Sequence, residues 1–251
     1  MERHQPNWNE FAGLGTLRAV IDPLDRDGVK NDLIDRLQWG AVSPWLGPAG
    51  KLLDLGCGTG RMAARIVARG FDYTGIDASE NMIEAARRGH PAPGTTFEVG
   101  PSYATPFGDR SFDVCLCVGV YQYLINGPDG PATMAEIARV LRPGGRLVMI
   151  EQASLSGQKS DTVAACATRQ DYERELSAHF EIERLERARS ASFSRVTHRA
   201  IALARRVGSL RAPIVRLAAE FERLRVRSRG EAYFRTVPYF DILVVARPRK
   251  R

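Results

Sequence analysis

Three glycines at alternate positions, Gly56-Cys57-Gly58-Thr59-Gly60, follow the apolar run Leu52-Leu53-Asp54-Leu55. Glycine has no Cβ, so such a turn lets the backbone come close to a ligand. A helix starting where the turn ends would add unpaired N–H groups and a partial positive charge. That combination makes a seat for a nucleotide or a small anion, and the spacing narrows the choice. The dinucleotide fingerprint needs its third glycine one residue later, where this chain has Arg61. No Gly-Lys-Ser/Thr follows, so the P-loop pattern is absent too. A second feature supports the seat: Gly75-Ile76-Asp77-Ala78-Ser79 ends another apolar run on an acid. A carboxylate there can accept hydrogen bonds from both hydroxyls of a ribose, each worth roughly 1.5–3 kcal/mol. Its structural alternative is a helix cap.

Other reactive side chains are sparse. His4 is near the start, His90 is in a Pro/Gly-rich loop, His179 precedes a strand and His198 sits in a basic stretch. Each reads as a surface or packing residue. Cys57, Cys115, Cys117 and Cys166 show neither metal-ligand spacing nor a disulfide framework, so no metal is expected. A reducing cytoplasm is the simplest compartment for such thiols.

These groups need a frame, and strand–helix alternation supplies one from Lys51 onward. Strands are predicted at 52–55, 71–76, 95–99, 112–118 and 146–150. Helices are predicted at 61–69, at 79–88 with Ser79 as N-cap, and at 131–141. This order argues for an α/β fold with a doubly wound, mostly parallel sheet. Ahead of it, residues 1–48 read as a helical lead-in that either packs on the sheet edge or covers a ligand. Its apolar positions run from Trp8 to Ile21, and a second stretch at 32–37 ends near Gly40 or before Pro44. Beyond the core come a helix at 169–179, a charged edge strand at 180–185 and a final strand at 241–246. Between these two strands, Ile201, Ala204 and Val207, then Ile214, Leu217, Ala218, Phe221 and Leu224, recur at helical spacing. The chain therefore reads as one domain with four parts: a cap (1–48), a core (49–187), a basic helical insertion (188–238) and a final strand with tail (239–251).

Charge is concentrated in that insertion. Residues 188–229 hold eleven arginines against Glu220 and Glu222, a balance of +9, which leaves −2 for the rest of a chain of net charge +7. An arginine-rich helix face is a solvated surface, a seat for an anionic small substrate, or a contact with nucleic acid or an anionic membrane. No run of about 18 apolar residues suggests a membrane span.

Four blocks together resemble the class I S-adenosylmethionine-dependent methyltransferases. They are 52–60, 75–79, Pro106-Phe107 with Ser111-Phe112-Asp113, and Val140-Leu141-Arg142-Pro143-Gly144-Gly145, spread over about 50–152. The resemblance implies a seven-stranded sheet with its last strand antiparallel, the basic insertion lying between strands six and seven, and S-adenosylmethionine as cofactor. It places Asp54, Gly56, Cys57, Gly58 and Gly60 at the methionine part, Asp77 at the ribose, and Ala78 and Met82 beside the adenine. Pro101 stands where the family usually has an acid for the adenine amino group, so that role would pass to Ser102, Tyr103 or backbone. The block from Val118 to Leu124 would flank the sulfonium, with Tyr123 where many relatives have histidine. Tyr123 and Glu151, the latter just beyond the fifth strand, are the candidate catalytic residues.

The expected activity is methyl transfer to O or N of a small metabolite, anionic or carrier-bound. An RNA methyltransferase and a non-catalytic cofactor-binding interaction protein are the alternatives. The basic stretch has few interleaved aromatics before Tyr233, Phe234 and Tyr239, and no Asn-Pro-Pro-Tyr-type motif follows the fourth strand, which favours the small-molecule reading.

Overall fold

The computed structural model describes residues 7–91, 93–157, 167–190, 192–234 and 238–249. The strands are β1 (Gly50–Leu55), β2 (Phe71–Asp77), β3 (Thr95–Val99), β4 (Phe112–Val118), β5 (Leu141–Ser154), β6 (Phe180–Ser190) and β7 (Tyr239–Pro248). The helices are α1 (Trp8–Phe11), α2 (Thr16–Val20), α3 (Val29–Val42), α4 (Ala63–Val67), α5 (Glu80–Gly89), α6 (Asp129–Val140), α7 (Arg169–Ser177), α8 (Arg195–Arg206) and α9 (Arg211–Phe234). One seven-stranded sheet runs in the order β3-β2-β1-β4-β5-β7-β6. The pairs from β3 to β5 are parallel, while β7 runs antiparallel to both β5 and β6.

Alternate side chains of each strand point to opposite faces, so the sheet has two cores. Leu53, Leu55, Cys115, Cys117 and Met149 pack with Met134 and Ile137 of α6 and with Tyr172 and Leu176 of α7. Leu52, Val114, Leu116, Val148 and Ile150 pack on the other face with Val42 of α3, Ile66 of α4 and Ile83 of α5. Helix α3 also faces outward: Val29, Leu33 and Leu37 meet Ile201 and Ala204 of α8 and Val215, Ala218 and Ala219 of α9. The insertion before β7 is thus a helical hairpin docked on the lead-in, and α3 links it to the sheet. Among the described residues no helix is long and apolar enough to cross a membrane.

Several predicted boundaries moved, and particular contacts account for them. The lead-in breaks at Gly15 into α1, a short 3-10 turn and α2. Helix α3 runs through Gly40 and ends at Val42, before Pro44 as one of the two expected ends; the missing side chain at Gly40 makes room for the Arg223 guanidinium, 3.2 Å from where a Cβ would sit. Helix α4 begins only at Ala63, because Gly60 is still in the turn and its carbonyl accepts the Ala63 N–H at 2.9 Å. Strand β6 continues past 185 to Ser190, with pairing irregularities at Ile182/Arg184 and Arg187/Arg189. There Arg189 makes a bidentate, buried ion pair with Asp241 of β7 at 2.7 and 2.9 Å. Ser79 caps α5 as expected, its Oγ accepting the Met82 N–H at 3.2 Å. Cys166 and His4 lie outside the described residues.

Candidate functional site

A cleft opens at the carboxyl ends of β1, β2 and β4, where the strand order reverses and open α/β sheets hold their ligands. It encloses about 820 Å³, open solvent included, a size suited to a small molecule. The glycine turn forms one wall. Gly56 and Gly58 have φ of +71° and +53°, which other residues adopt only with strain. A Cβ on Gly56 would come within 2.3 Å of Val120 Cγ2, and one on Gly58 within 2.5 Å of Val20 Cγ1. The two glycines therefore let the loop after β4 and helix α2 close over the turn.

Four of the turn's five N–H groups are spent inside the fold. Gly56 and Cys57 both donate to the Ile76 carbonyl at 2.7 and 3.0 Å, and Gly60 donates to the Cys57 carbonyl at 3.0 Å. Gly58 N–H donates to Asp77 Oδ2 at 2.9 Å. With only five residues in α4 beyond it, the turn supplies shape rather than the row of free donors that an anion seat needs.

Asp77 ends β2 on the cleft wall. Its Oδ1 accepts the Ser79 N–H at 2.9 Å and its Oδ2 that of Gly58. Each oxygen keeps a lone-pair direction, and together they can hold a vicinal diol. Burial pushes this carboxyl above its ordinary range, against the pull of the two N–H groups. Beside it Ile76, Ala78 and Met82 make an apolar slot closed by Gly100 and Ser102. Ser102 Oγ shares a hydrogen bond with Thr133 Oγ1 of α6 at 2.9 Å.

Val118, Gly119, Val120, Tyr123 and Leu124 form the opposite wall. Glu151 holds this segment from behind. Its Oε1 accepts the Val120 N–H at 3.2 Å and the Cys117 thiol at 3.3 Å, and its Oε2 accepts the Gln122 N–H at 3.1 Å. The Gln122 side chain in turn accepts the Gln152 N–H at 2.8 Å. Glu151 is 1% exposed, and burial pushes its carboxyl up to about 7 despite these donors.

The structure thus gathers Gly56, Gly58, Asp77, Ala78, Met82, Ser102, Val118 and Tyr123 around one cleft. It places the other predicted residues elsewhere. Asp54 is buried under the sheet end, its Oδ2 accepting the Tyr73 hydroxyl at 2.8 Å, and burial pushes it up to about 6. Cys57 packs over Gly75, and Gly60 lies against His90 and Phe97. Tyr103 is exposed outside the cleft wall, and Glu151 stands behind the loop.

Sequence reasoning named neither Trp8 nor Val20 as cleft residues, yet both line it. The Trp8 ring meets Tyr123 edge-on at 5.5 Å between centroids. Thr59 Oγ1 donates to the Thr16 carbonyl at 2.9 Å, Ser79 Oγ donates to Asn9 Oδ1 at 2.6 Å, and Asn81 donates to the Asn9 carbonyl at 3.1 Å. These bonds tie α1 and α2 to the loops after β1 and β2. Arg61, which replaces the third dinucleotide glycine, reaches away to Asp35 at 2.7 Å and Gln38 at 2.8 Å on α3.

Comparison with known proteins agrees with this geometry. Residues 53–149 match the family model described as a methyltransferase domain. An uncharacterised methyltransferase of Mycobacterium bovis is 36% identical over 108 residues, covering 42% of each chain. An O-methyltransferase of Penicillium expansum is 37% identical over 157 residues, 60% of this chain and 51% of its own. A ubiquinone/menaquinone biosynthesis C-methyltransferase of Dinoroseobacter shibae is 35% identical over 161 residues, 59% of this chain and 62% of its own. The matches thus span about half the length of these curated relatives. In fold, the chain is similar to geranyl diphosphate C-methyltransferase from Streptomyces coelicolor, with a TM-score of 0.62 and 18% identity over 98% of this chain and 99% of that one. The matched segment carries the glycine turn, Asp77 and the loop after β4, and over residues 53–149 the chain is similar to the methyltransferase-domain family.

Proposed function

We propose that this chain is an enzyme that binds S-adenosylmethionine in the cleft and transfers its methyl group to O or N of a small metabolite. The cofactor, when bound, supplies a methyl group made electrophilic by its sulfonium. Asp77 would hold the ribose hydroxyls, Ala78 and Met82 would flank the adenine, and Gly56 and Gly58 would admit the methionine part. Ser102 and the Gly100 backbone, which line the cleft, would serve the adenine, since Pro101 stands where the resemblance expects an acid. A turn that spends four of its five N–H donors within the fold suits a sulfonium better than a phosphate. The rings of Tyr123 and Trp8 offer it a π face, and Trp8 and Val20 keep water out.

One observation carries the reading of the chemistry. Asp77 and Tyr123 are the only titratable side chains on the cleft wall among the described residues. Burial raises the Tyr123 phenol further, so it stays protonated at neutral pH and orients rather than removes a proton. Catalysis would then rest on alignment of donor and acceptor, which can lower a barrier by roughly 7–11 kcal/mol. The acceptor must bring its own nucleophilic lone pair, as an amine, a carboxylate or an ionised phenol does. This favours an anionic or carrier-bound acceptor over a neutral alcohol. The relatives' names include both O- and C-methylation, so an enolate carbon is the second reading of the acceptor atom.

Formation of S-adenosylhomocysteine over a panel of amines, carboxylates, phenols and carrier-bound acids tests the proposal. Turnover confined to acceptors that carry a free nucleophilic lone pair at the assay pH (carboxylates, ionised phenols and unprotonated amines) is expected. Cofactor binding without turnover on any of them would favour the non-catalytic reading.

A further inference from the structure

Helix α9 buries Val215, Ala218 and Ala219 against its neighbours, yet its opposite face is also apolar. Leu217, Phe221 and Leu224 follow at steps of four and three, which places them on one side of a helix. They are exposed by 71%, 40% and 63%. Leu210, seven residues before Leu217 in the turn that leads into α9, extends the row and is 53% exposed. Single exposed leucines are ordinary, whereas a continuous row on one helix face marks a contact surface. Arginines rim this row. Arg216 and Arg227 are exposed and form no ion pair among the described residues. Arg223 pairs with Glu220 at 3.0 Å, which neutralises the one exposed acid of the helix's described side chains.

We infer that this face of α9 docks peripherally on an anionic lipid bilayer. The leucines and Phe221 enter the headgroup boundary, and Arg216 and Arg227 pair with lipid phosphates. Charge selects this occupant. A second copy of the chain laid on the same face would set two arginine rims against each other with Glu220 already engaged, and like charges oppose that pairing. None of these residues lines the cofactor cleft, so the contact is independent of methyl transfer.

Flotation of the full chain with phosphatidylcholine vesicles, with and without phosphatidylglycerol, tests the inference. Binding is expected only with the anionic lipid, and it should fall as salt screens the arginines. Leu217→Asp with Leu224→Asp should weaken it by more than about tenfold. Arg216→Gln or Arg227→Gln should each weaken it by about fivefold. The unfolding midpoint of the leucine variant should stay near wild type, because these side chains are already in water. Absence of binding to anionic vesicles at low salt would overturn the inference. So would binding unchanged by the leucine substitutions, or a dimer in sedimentation that the same substitutions dissociate without any vesicle binding.

Discussion

Replacing Glu151 by Gln separates the two things a buried carboxylate does. The folded protein holds this group at about 7 against an ordinary 4.5, because burial disfavours its charge more than its donors stabilise it. A pKa raised in the folded state means that the fold takes up a proton relative to the unfolded chain. The stabilising contribution is fully present below pH 4.5 and is lost as pH rises through about 7. A gap of about 2.5 units corresponds to about 3 kcal/mol between those limits. Glutamine keeps the shape and cannot ionise, so Glu151→Gln should flatten that part of the profile. It also sets an amide NH₂ against the N–H of Val120 or Gln122, a mismatch worth about 1–3 kcal/mol. The variant should therefore be less stable than wild type at pH 5 and close to it at pH 8. Urea unfolding at the two pH values reads the difference, and exchange of the Val120 and Gln122 amides should quicken in the variant. Asp54, pushed up to about 6, adds its own slope to both proteins and cancels in the comparison. A Glu151→Gln profile parallel to wild type would refute the reasoning.

Other outcomes follow from single contacts. Asp77→Ala should weaken S-adenosylmethionine binding by at least about tenfold, equal to roughly 1.4 kcal/mol, and unchanged affinity by calorimetry would remove Asp77 from the site. Gly58→Ala should lower both stability and cofactor affinity through its left-handed backbone and the Val20 contact, and adding Val20→Ala should recover only the part due to that contact. Trp8→Ala should speed cofactor release in stopped-flow measurements with little change in unfolding midpoint, because Trp8 is only half-buried at the cleft mouth. Arg189→Met should cost about 3–5 kcal/mol in urea unfolding by leaving Asp241 buried without its partner, and a following Asp241→Leu should restore much of it.

Much of the fold was legible because it rests on local signals. The apolar run at 112–118 is β4 to the residue, since a central strand covered on both faces needs no alternation to read. Ser79 announces α5 by its type and place. Boundaries failed where distant residues decided them. Strand β6 outruns its apolar pattern because Asp241 receives Arg189, whereas α3, with Arg223 filling the space at Gly40, runs on to the later of its two expected ends, before Pro44.

The cleft divides in the same way. The sequence by itself marked the Gly56–Gly58 turn and Asp77, which backbone geometry at strand ends sets on the cleft wall. Spacing along the chain is enough to specify a turn between a strand and a helix. Only the tertiary structure decided which side chains face the cleft. Asp54 shares a motif with Gly56 but turns to Tyr73, and Glu151 supports a loop instead of touching the cleft. Trp8 and Val20 arrive over the glycine turn from the start of the chain, brought there by Thr16–Thr59 and Asn9–Ser79 contacts that no local pattern encodes. The glycine turn takes its shape from this packing: most of its N–H groups are used within the fold, and what it leaves on the cleft wall is room.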